Sequence, residues 1–331
     1  MKSPSLFLAL TGATVLGNTP EPGQITVANS ATNYAGSLAQ DVQGYLAGLP
    51  ATNNENLLNA LFPAIQVNDF FQFPKADDEF FLTESDDSDI RAIGAAFKRV
   101  EFRGTTVTAS TQQKGLTMRV DHKSLPKVSG KIVAGWEQRY AAALRNRLIG
   151  ADIIRGLAVI DAAATNAAKT WDATANPDGD LRAAGQALRT ATGLMQSHVV
   201  LGNLAQQKRQ DSYEAAARVN HAMANHAAYT MEQLASYLGA GKVVIADGIK
   251  QAKKGAAKAD MLAGIAYVYN ATESPIMDDP SNVKRAWSPV MGGGQWGVAI
   301  QEHAVFTDIT VWQESLIFLP ITTGIQKLTI S

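Results

Sequence analysis

The chain has 331 residues, 46% of them hydrophobic and 18% charged, enough apolar material for one large or two ordinary domains and too much for wholesale disorder. A formal net charge of −1 argues against a globally basic protein that coats nucleic acid, but not against a wall that merely encloses it. Cysteine is absent, so disulfides, thiolate metal sites and a cysteine nucleophile are excluded.

In chain order, Met1 to Leu10 carries one cation and an apolar stretch, like a secretory leader. Gly12, Thr14, Gly17 and Asn18 dilute that stretch and no small-x-small cleavage site follows, so the segment reads as an N-terminal arm. No stretch reaches the roughly 20 apolar residues of a membrane span. Residues 1–60 are rich in Ala, Gly, Asn, Thr and Ser, with short helices expected at 37–49 and 56–61. Residues 63–74 read as a strand. An acidic run follows, with Asp77, Asp78, Glu79, Glu84, Asp86, Asp87 and Asp89; then the sign reverses through Lys98, Arg99, Arg103, Lys114, Arg119, Lys123 and Lys127. β-prone pieces lie among the cations, at 100–107 and 116–120. Together these predict a long two-stranded excursion. Such a ribbon is marginal in water by itself, so a neighbouring molecule is expected to pin it. Asp77, Asp78, Glu79, Asp86, Asp87 and Asp89 on one side, and Lys98, Arg99, Arg103, Lys114 and Arg119 on the other, are the candidate contacts between subunits. Exposed pairs of this kind set register and salt sensitivity more than strength.

From Ser129, a candidate N-cap, the spacing turns helical, and Trp136, Tyr140, Leu144, Leu148, Ala151, Ile154 and Leu157 mark one proline-free run over 129–170. At 1.5 Å per residue it would run about 60 Å, with Gly150 and Gly156 as its weak points. Asn176-Pro177-Asp178-Gly179 is a turn, followed by a helix capped by Asp180, striped by Leu181, Ala184 and Leu188 and stopped by Gly193. Val199–Leu201 reads as a buried strand. Thr230-Met231-Glu232-Gln233 is a capping box opening a helix that ends at Gly239. Strands are expected at 242–246, 265–269 and 326–330, a flexible link at Gly292-Gly293-Gly294, and β-rich chain from Trp296 to Leu319.

Chemistry is sparse. Gly292 to Gly297 satisfies GxGxxG, but strand-like sequence follows where a phosphate-binding helix belongs. Residues 236–243 imitate a P-loop without its first glycine or its magnesium-binding hydroxyl. The five histidines form no metal-ligand spacing and read as surface or packing residues. The acidic run lacks EF-hand spacing, and no GxSxG elbow is present. Lys250, Lys253, Lys254 and Lys258 have no aromatics among them and read as an exposed loop. No catalytic, cofactor-binding or metal-ligating residue is expected.

The order of segments resembles the major capsid proteins of tailed bacteriophages, with their Hong Kong 97-like fold. Residues 62–67 resemble the strand leaving the arm, about 70–125 the extended loop, and 129–170 the spine helix. Residues 171–184 resemble the link into an axial domain, 192–202 and 234–244 its helix–strand steps, and 296–319 the return to the peripheral domain. The resemblance implies an α+β chain divided into an N-terminal arm (1–62), an extended β-loop region (63–128), a peripheral-domain spine helix (129–178), an axial α/β domain (179–294), a peripheral β return (295–320) and a C-terminal strand (321–331). It implies a non-enzymatic protein assembling as hexamers and pentamers into an icosahedral shell around phage double-stranded DNA, without sequence-specific contacts or a cofactor. Its partners would be itself, a portal protein and possible scaffolding and decoration proteins, in a virion assembled in the bacterial cytoplasm without a membrane. An encapsulin-like nanocompartment shell and a small-molecule-binding α/β protein are the alternatives. On the shell reading, deleting 76–126 is expected to leave soluble protein that forms no closed particles.

Overall fold

The computed structural model describes residues 26–75, 105–125, 127–128, 131–132, 135–217, 224–290 and 293–331, together with Ile90, Ile93 and Ala96.

Two helices open the described chain. Helix α1 (Thr26–Gly48) buries Val42 and Leu46, one turn apart. Helix α2 (Asn53–Leu61) starts at Thr52, whose hydroxyl accepts the Glu55 amide at 3.3 Å, and buries Leu57, Leu58 and Leu61. Both begin earlier than the apolar spacing predicts, because their first turns carry polar and small residues that leave no stripe to read.

The strand expected at 63–74 is two strands, β1 (Ala64–Gln66) and β2 (Phe70–Lys75). They part at Val67-Asn68-Asp69 because they serve different partners. The second forms an antiparallel ribbon with β3 (Thr105–Ser110), in register from Phe70 opposite Ser110 to Lys75 opposite Thr105. Phe71 and Phe73 turn inward from the ribbon onto Phe318, with ring centroids 5.4 and 4.6 Å away. Strand β4 (Gln112–Asp121) follows, then a small antiparallel pair, β5 (Lys127–Val128) and β6 (Lys131–Ile132).

The long helix is shorter than expected. Helix α3 (Trp136–Ala163) has 28 residues, about 42 Å at the standard rise, where 129–170 was read as one helix. At its start, chain already committed to the β5–β6 pair ends in Gly135 at φ +76°; Ser129, the expected cap, lies outside the described residues. At its end, Thr165-Asn166-Ala167-Ala168-Lys169 forms strand β7 (Thr165–Lys169). Local propensity there favours neither state, and pairing with a strand near residue 330 decides it. The helix runs through Gly150 and Gly156 without a break. A Cβ at position 156 would sit 2.3 Å from the Phe62 ring and 2.7 Å from Ile317, so close packing requires that glycine.

Helix α4 (Pro177–Thr192) is capped by Asn176, whose Oδ1 accepts the Gly179 amide at 3.0 Å, and not by Asp180. Pro177 fits the first turn, where its missing N–H costs nothing. Leu181, Ala184 and Leu188 face inward and Gly193 stops the helix at φ +71°, as the pattern predicts. Strand β8 (His198–Gly202), helices α5 (Asn203–Ala217) and α6 (Ala224–Ala227), and helix α7 (Met231–Leu238) come next; the Thr230–Gln233 capping box opens α7 and Gly239 closes it. The remaining strands are β9 (Lys242–Ala246), β10 (Ile249–Gln251), β11 (Lys258–Asp260), β12 (Ile265–Tyr269), β13 (Lys284–Ser288), β14 (Gly297–Glu302), β15 (Phe306–Phe318) and β16 (Gln326–Ile330). The expected strands at 242–246, 265–269 and 326–330 are all present. No helix follows the GxGxxG stretch; β14 does, and the Trp312 ring occupies the place of a Cβ on Gly297.

The chain divides into two units by contact density. One holds the chain up to Pro50, Lys114–Leu148 and Val290–Gln313; the other holds Ala51–Gln113, Ile149–Pro289 and Glu314–Ser331. In the first, α1 packs on β14, which pairs antiparallel with the first half of β15. In the second, a mixed sheet in the order β7-β16-β12-β8-β9 carries α4 and α7 on a core of Leu181, Val199, Leu201, Leu234, Val268 and Leu328. A smaller cluster of Val67, Phe71, Phe73, Ala286 and Phe318 anchors the foot of the ribbon. Mixed helix and sheet, partly segregated, make this an α+β fold.

Candidate functional site

Asp77, Asp78, Glu79, Asp86, Asp87, Asp89, Lys98, Arg99 and Arg103 lie outside the described residues. Lys114 and Arg119 are on β4. Lys114 is half-buried. Arg119 has partners in its own chain. Its Nε and Nη2 donate to the two carboxylate oxygens of Asp308 at 2.9 and 2.8 Å, and its guanidinium stacks 4.0 Å above the Phe306 ring. This forked contact holds the Asp308 carboxyl below the usual carboxylate range and raises the arginine. His303 closes the group, its ring 4.4 Å from Phe306. Beside it, Thr117 and Thr310 share a hydrogen bond of 2.8 Å, as do His122 and Thr307. The side chains of β4 therefore bind it to β15.

The second unit contains a buried ionic network. Asp178, in the first turn of α4, takes Arg209 of α5 in a forked contact at 2.6 and 2.9 Å, with both side chains almost wholly buried. The helix N-terminus favours the carboxylate, and Tyr213 accepts the Asp178 amide at 3.1 Å. Arg209 also donates to the His226 carbonyl at 3.0 Å, and the His226 ring stacks on Tyr213 at 5.2 Å. These groups neutralise one another and tie α4, α5 and α6 together. Buried Lys284 plays a similar part, donating to the carbonyls of Ile276, Met277 and Asp279 at 2.6–2.9 Å.

Histidines 198 and 226 are thus packing residues, 122 and 303 lie nearer the surface, and 221 lies outside the described residues. Burial above all, with Lys242 nearby, pushes the His198 imidazole down to about 4. Ser197 touches its Nδ1 at 2.9 Å but donates its own proton to the Ala271 carbonyl at 2.7 Å. That hydroxyl is a structural bridge, not an activated nucleophile. Among the described residues no group of three or more His, Asp or Glu is placed to hold a metal, and no helix is long and apolar enough to cross a membrane. Lys250, Lys253, Lys254 and Lys258 are exposed on the β10–β11 hairpin.

One concave feature was not anticipated. A groove runs between α2 and β9, in two connected parts of about 470 and 510 Å³ that share Asn56, Ala60 and Lys242. Val243, Val244 and Ile245 line one part, His198 and Glu273 the other. Apolar spacing marked β9 as a strand; that it ends its sheet depends on pairings across distant sequence, which no local signal records.

The sequence matches no protein-family model, and no curated protein matches it. Solved structures do. The chain is similar to a phage-related protein from Bordetella bronchiseptica RB50, with a TM-score of 0.62 at 14% identity, covering 87% of this chain and 95% of the other. It is similar to the capsid structure of cyanophage P-SCSP1u, with a TM-score of 0.50 at 10% identity over 82% and 87% of the two chains. It is also similar to a Gordonia phage Cozz chain, with a TM-score of 0.51 at 11% identity over 95% and 98%. These likenesses span both units and nearly the whole length of each partner. The chain has the α+β fold of phage capsid proteins, the Hong Kong 97-like fold that its sequence resembles.

Proposed function

We propose that this chain is a major capsid protein that self-assembles as hexamers and pentamers into an icosahedral shell around phage double-stranded DNA. The observation that carries the reading is the near-full-length likeness to the cyanophage capsid structure. Two further features support it. The described ribbon has a firm foot in its own chain, on Phe318, and continues into a strongly charged stretch (76–104). The net charge of −1 suits a wall that must release what it holds. On this reading the protein is not an enzyme, binds DNA without reading its sequence, and meets a portal protein and possible scaffolding and decoration proteins in the virion, after assembly in the bacterial cytoplasm.

The contacts between subunits fall to the acidic run and its basic counterpart. With Arg119 held by Asp308, the cationic side rests on Lys98, Arg99 and Arg103. Reversing Asp86, Asp87 and Asp89 to Lys is expected to cut the yield of particles severalfold, and a second reversal of Lys98 and Arg99 to Glu to restore part of it. Indifference of assembly to the first change removes this docking.

Negative-stain microscopy of the purified protein tests the whole reading. Closed particles of uniform diameter, holding nuclease-protected DNA when produced with a phage packaging system, are the expected result. A monodisperse monomer at high concentration overturns it. Closed particles filled with protein cargo instead would replace it with the nanocompartment reading.

A further inference from the structure

The β10–β11 hairpin stands out into solvent: from Ile249 to Ala259 every residue but Ala256 is exposed. Its foot is fixed, with the Met261 amide donating to the Gly248 carbonyl at 2.7 Å and Met261 and Leu262 buried. Its turn is fixed too. The Ala256 amide donates to the Lys253 carbonyl at 3.0 Å, the Gln251 side-chain amide donates to the Ala256 carbonyl at 2.8 Å, and Gly255 sits at φ +82°.

Residues 248–259 hold four Lys and no acidic residue, in a chain of net charge −1. Asp247 and Asp260 stand only at the foot. Lys250 lies opposite Ala259, and Lys258 opposite Gln251. Residues opposite each other share a face and neighbours along a strand alternate, so Lys250 and Lys258 point to opposite faces, while Lys253 and Lys254 lie in the turn. Among the described residues none of the four makes an ion pair, whereas Lys169, Lys284 and Lys327 are held by Asp180, Asp279 and Asp161. Like charges crowded without counter-charges repel, so this cluster serves no contact of its own fold. It has no aromatic ring on which a base could stack, and the Gln251 amide is already taken by the turn. What remains is charge alone. Cations on both faces and at the end give the finger no single docking side. That suits a partner that passes in any register, and a duplex carries a phosphate about every 1.7 Å of its axis.

We propose that this hairpin holds duplex DNA by its phosphates, through Lys250, Lys253, Lys254 and Lys258. The inference rests on the shell reading above, which supplies the DNA. Four such contacts weaken on the order of a hundredfold between about 50 and 200 mM salt, so they order the duplex along a wall without anchoring it.

Unassembled full-length chain is titrated with a short fluorescent duplex of mixed sequence over a range of salt. Changing all four lysines to Gln is expected to weaken binding at least tenfold at low salt. It is also expected to flatten the plot of log affinity against log salt by a slope of about 3.6. Changing the same four to Arg keeps the charge and is expected to leave that slope unaltered. A parent chain that binds no duplex at low salt, or an equal slope for the parent and Gln chains, overturns the proposal; so does a flattened slope in the Arg chain. A peptide with the acidic sequence of residues 76–90 is the competing polyanion. If it binds the parent more tightly than the duplex does and loses that binding in the Gln chain, the hairpin is a contact between copies and the proposal falls. Microscopy separates the two readings: closed particles from the unaltered chain with an unchanged slope sink only the hairpin assignment, whereas a lack of particles sinks the shell.

Discussion

Gly156 is the clearest case of a residue whose identity is set by what lies opposite. In an isolated helix Gly156→Ala would gain about 1 kcal/mol from propensity. Here the new methyl would meet the Phe62 ring at 2.3 Å and Ile317 at 2.7 Å. Overpacking of this kind costs about 1–3 kcal/mol, so Gly156→Ala is expected to lower the urea midpoint instead of raising it. His198 governs a pH response. Its folded value of about 4 lies below the ordinary 6.5, so the unfolded chain takes up the proton first. Its contribution to stability is complete above pH 6.5, falls as the pH drops towards 4, and changes little below that. The loss is on the order of 3 kcal/mol, and urea titrations at pH 7 and pH 4.5 should show a smaller drop for His198→Gln than for the parent. An equal drop would assign the acid sensitivity to other groups.

At the scale of elements, the ribbon is held by its foot. Phe73 is 6% exposed and its ring lies 4.6 Å from Phe318. Phe73→Ala should destabilise the protein by about 3 kcal/mol and speed hydrogen exchange in β2 and β3 well before the β7-β16-β12-β8-β9 sheet responds. Which elements the sequence reveals follows from where their signals sit. Helices α4 and α7 carry local marks (a cap, an apolar stripe and a glycine stop), and the structure matches the reading except that Asn176, not Asp180, is the cap. The spine helix overran in the reading because Thr165–Lys169 has no local signature of a strand; it becomes one by lying parallel to residues 326–330. The 63–74 segment split because Asp69 is needed elsewhere, its carboxylate accepting the Ser288 hydroxyl and its carbonyl the Thr111 amide at 2.9 Å. The candidate contacts were legible as a charge pattern, but the forked hold of Asp308 on Arg119 was not, since 189 positions separate them. The groove was invisible for the same reason.

At the scale of the molecule, the boundaries of the sheets sharpen the test of the charged excursion. Removing 76–126 would also remove β3 and β4, and with them strands bound to β2 and β15. A narrower deletion, 77–103 replaced by a short Gly-Ser turn, spares every described strand. It is expected to give soluble protein that still unfolds cooperatively but forms no closed particles; normal particles under the microscope would remove the assembly role of that excursion. The order of the strands has one more consequence, for biosynthesis. Strand β16 lies inside its sheet, between β7 and β12, and β1 finds its partner only at residues 285–287. A polypeptide still growing on the ribosome therefore cannot pair β1 until residues 285–287 have been made, nor close the β7-β16-β12-β8-β9 sheet until residue 330 has.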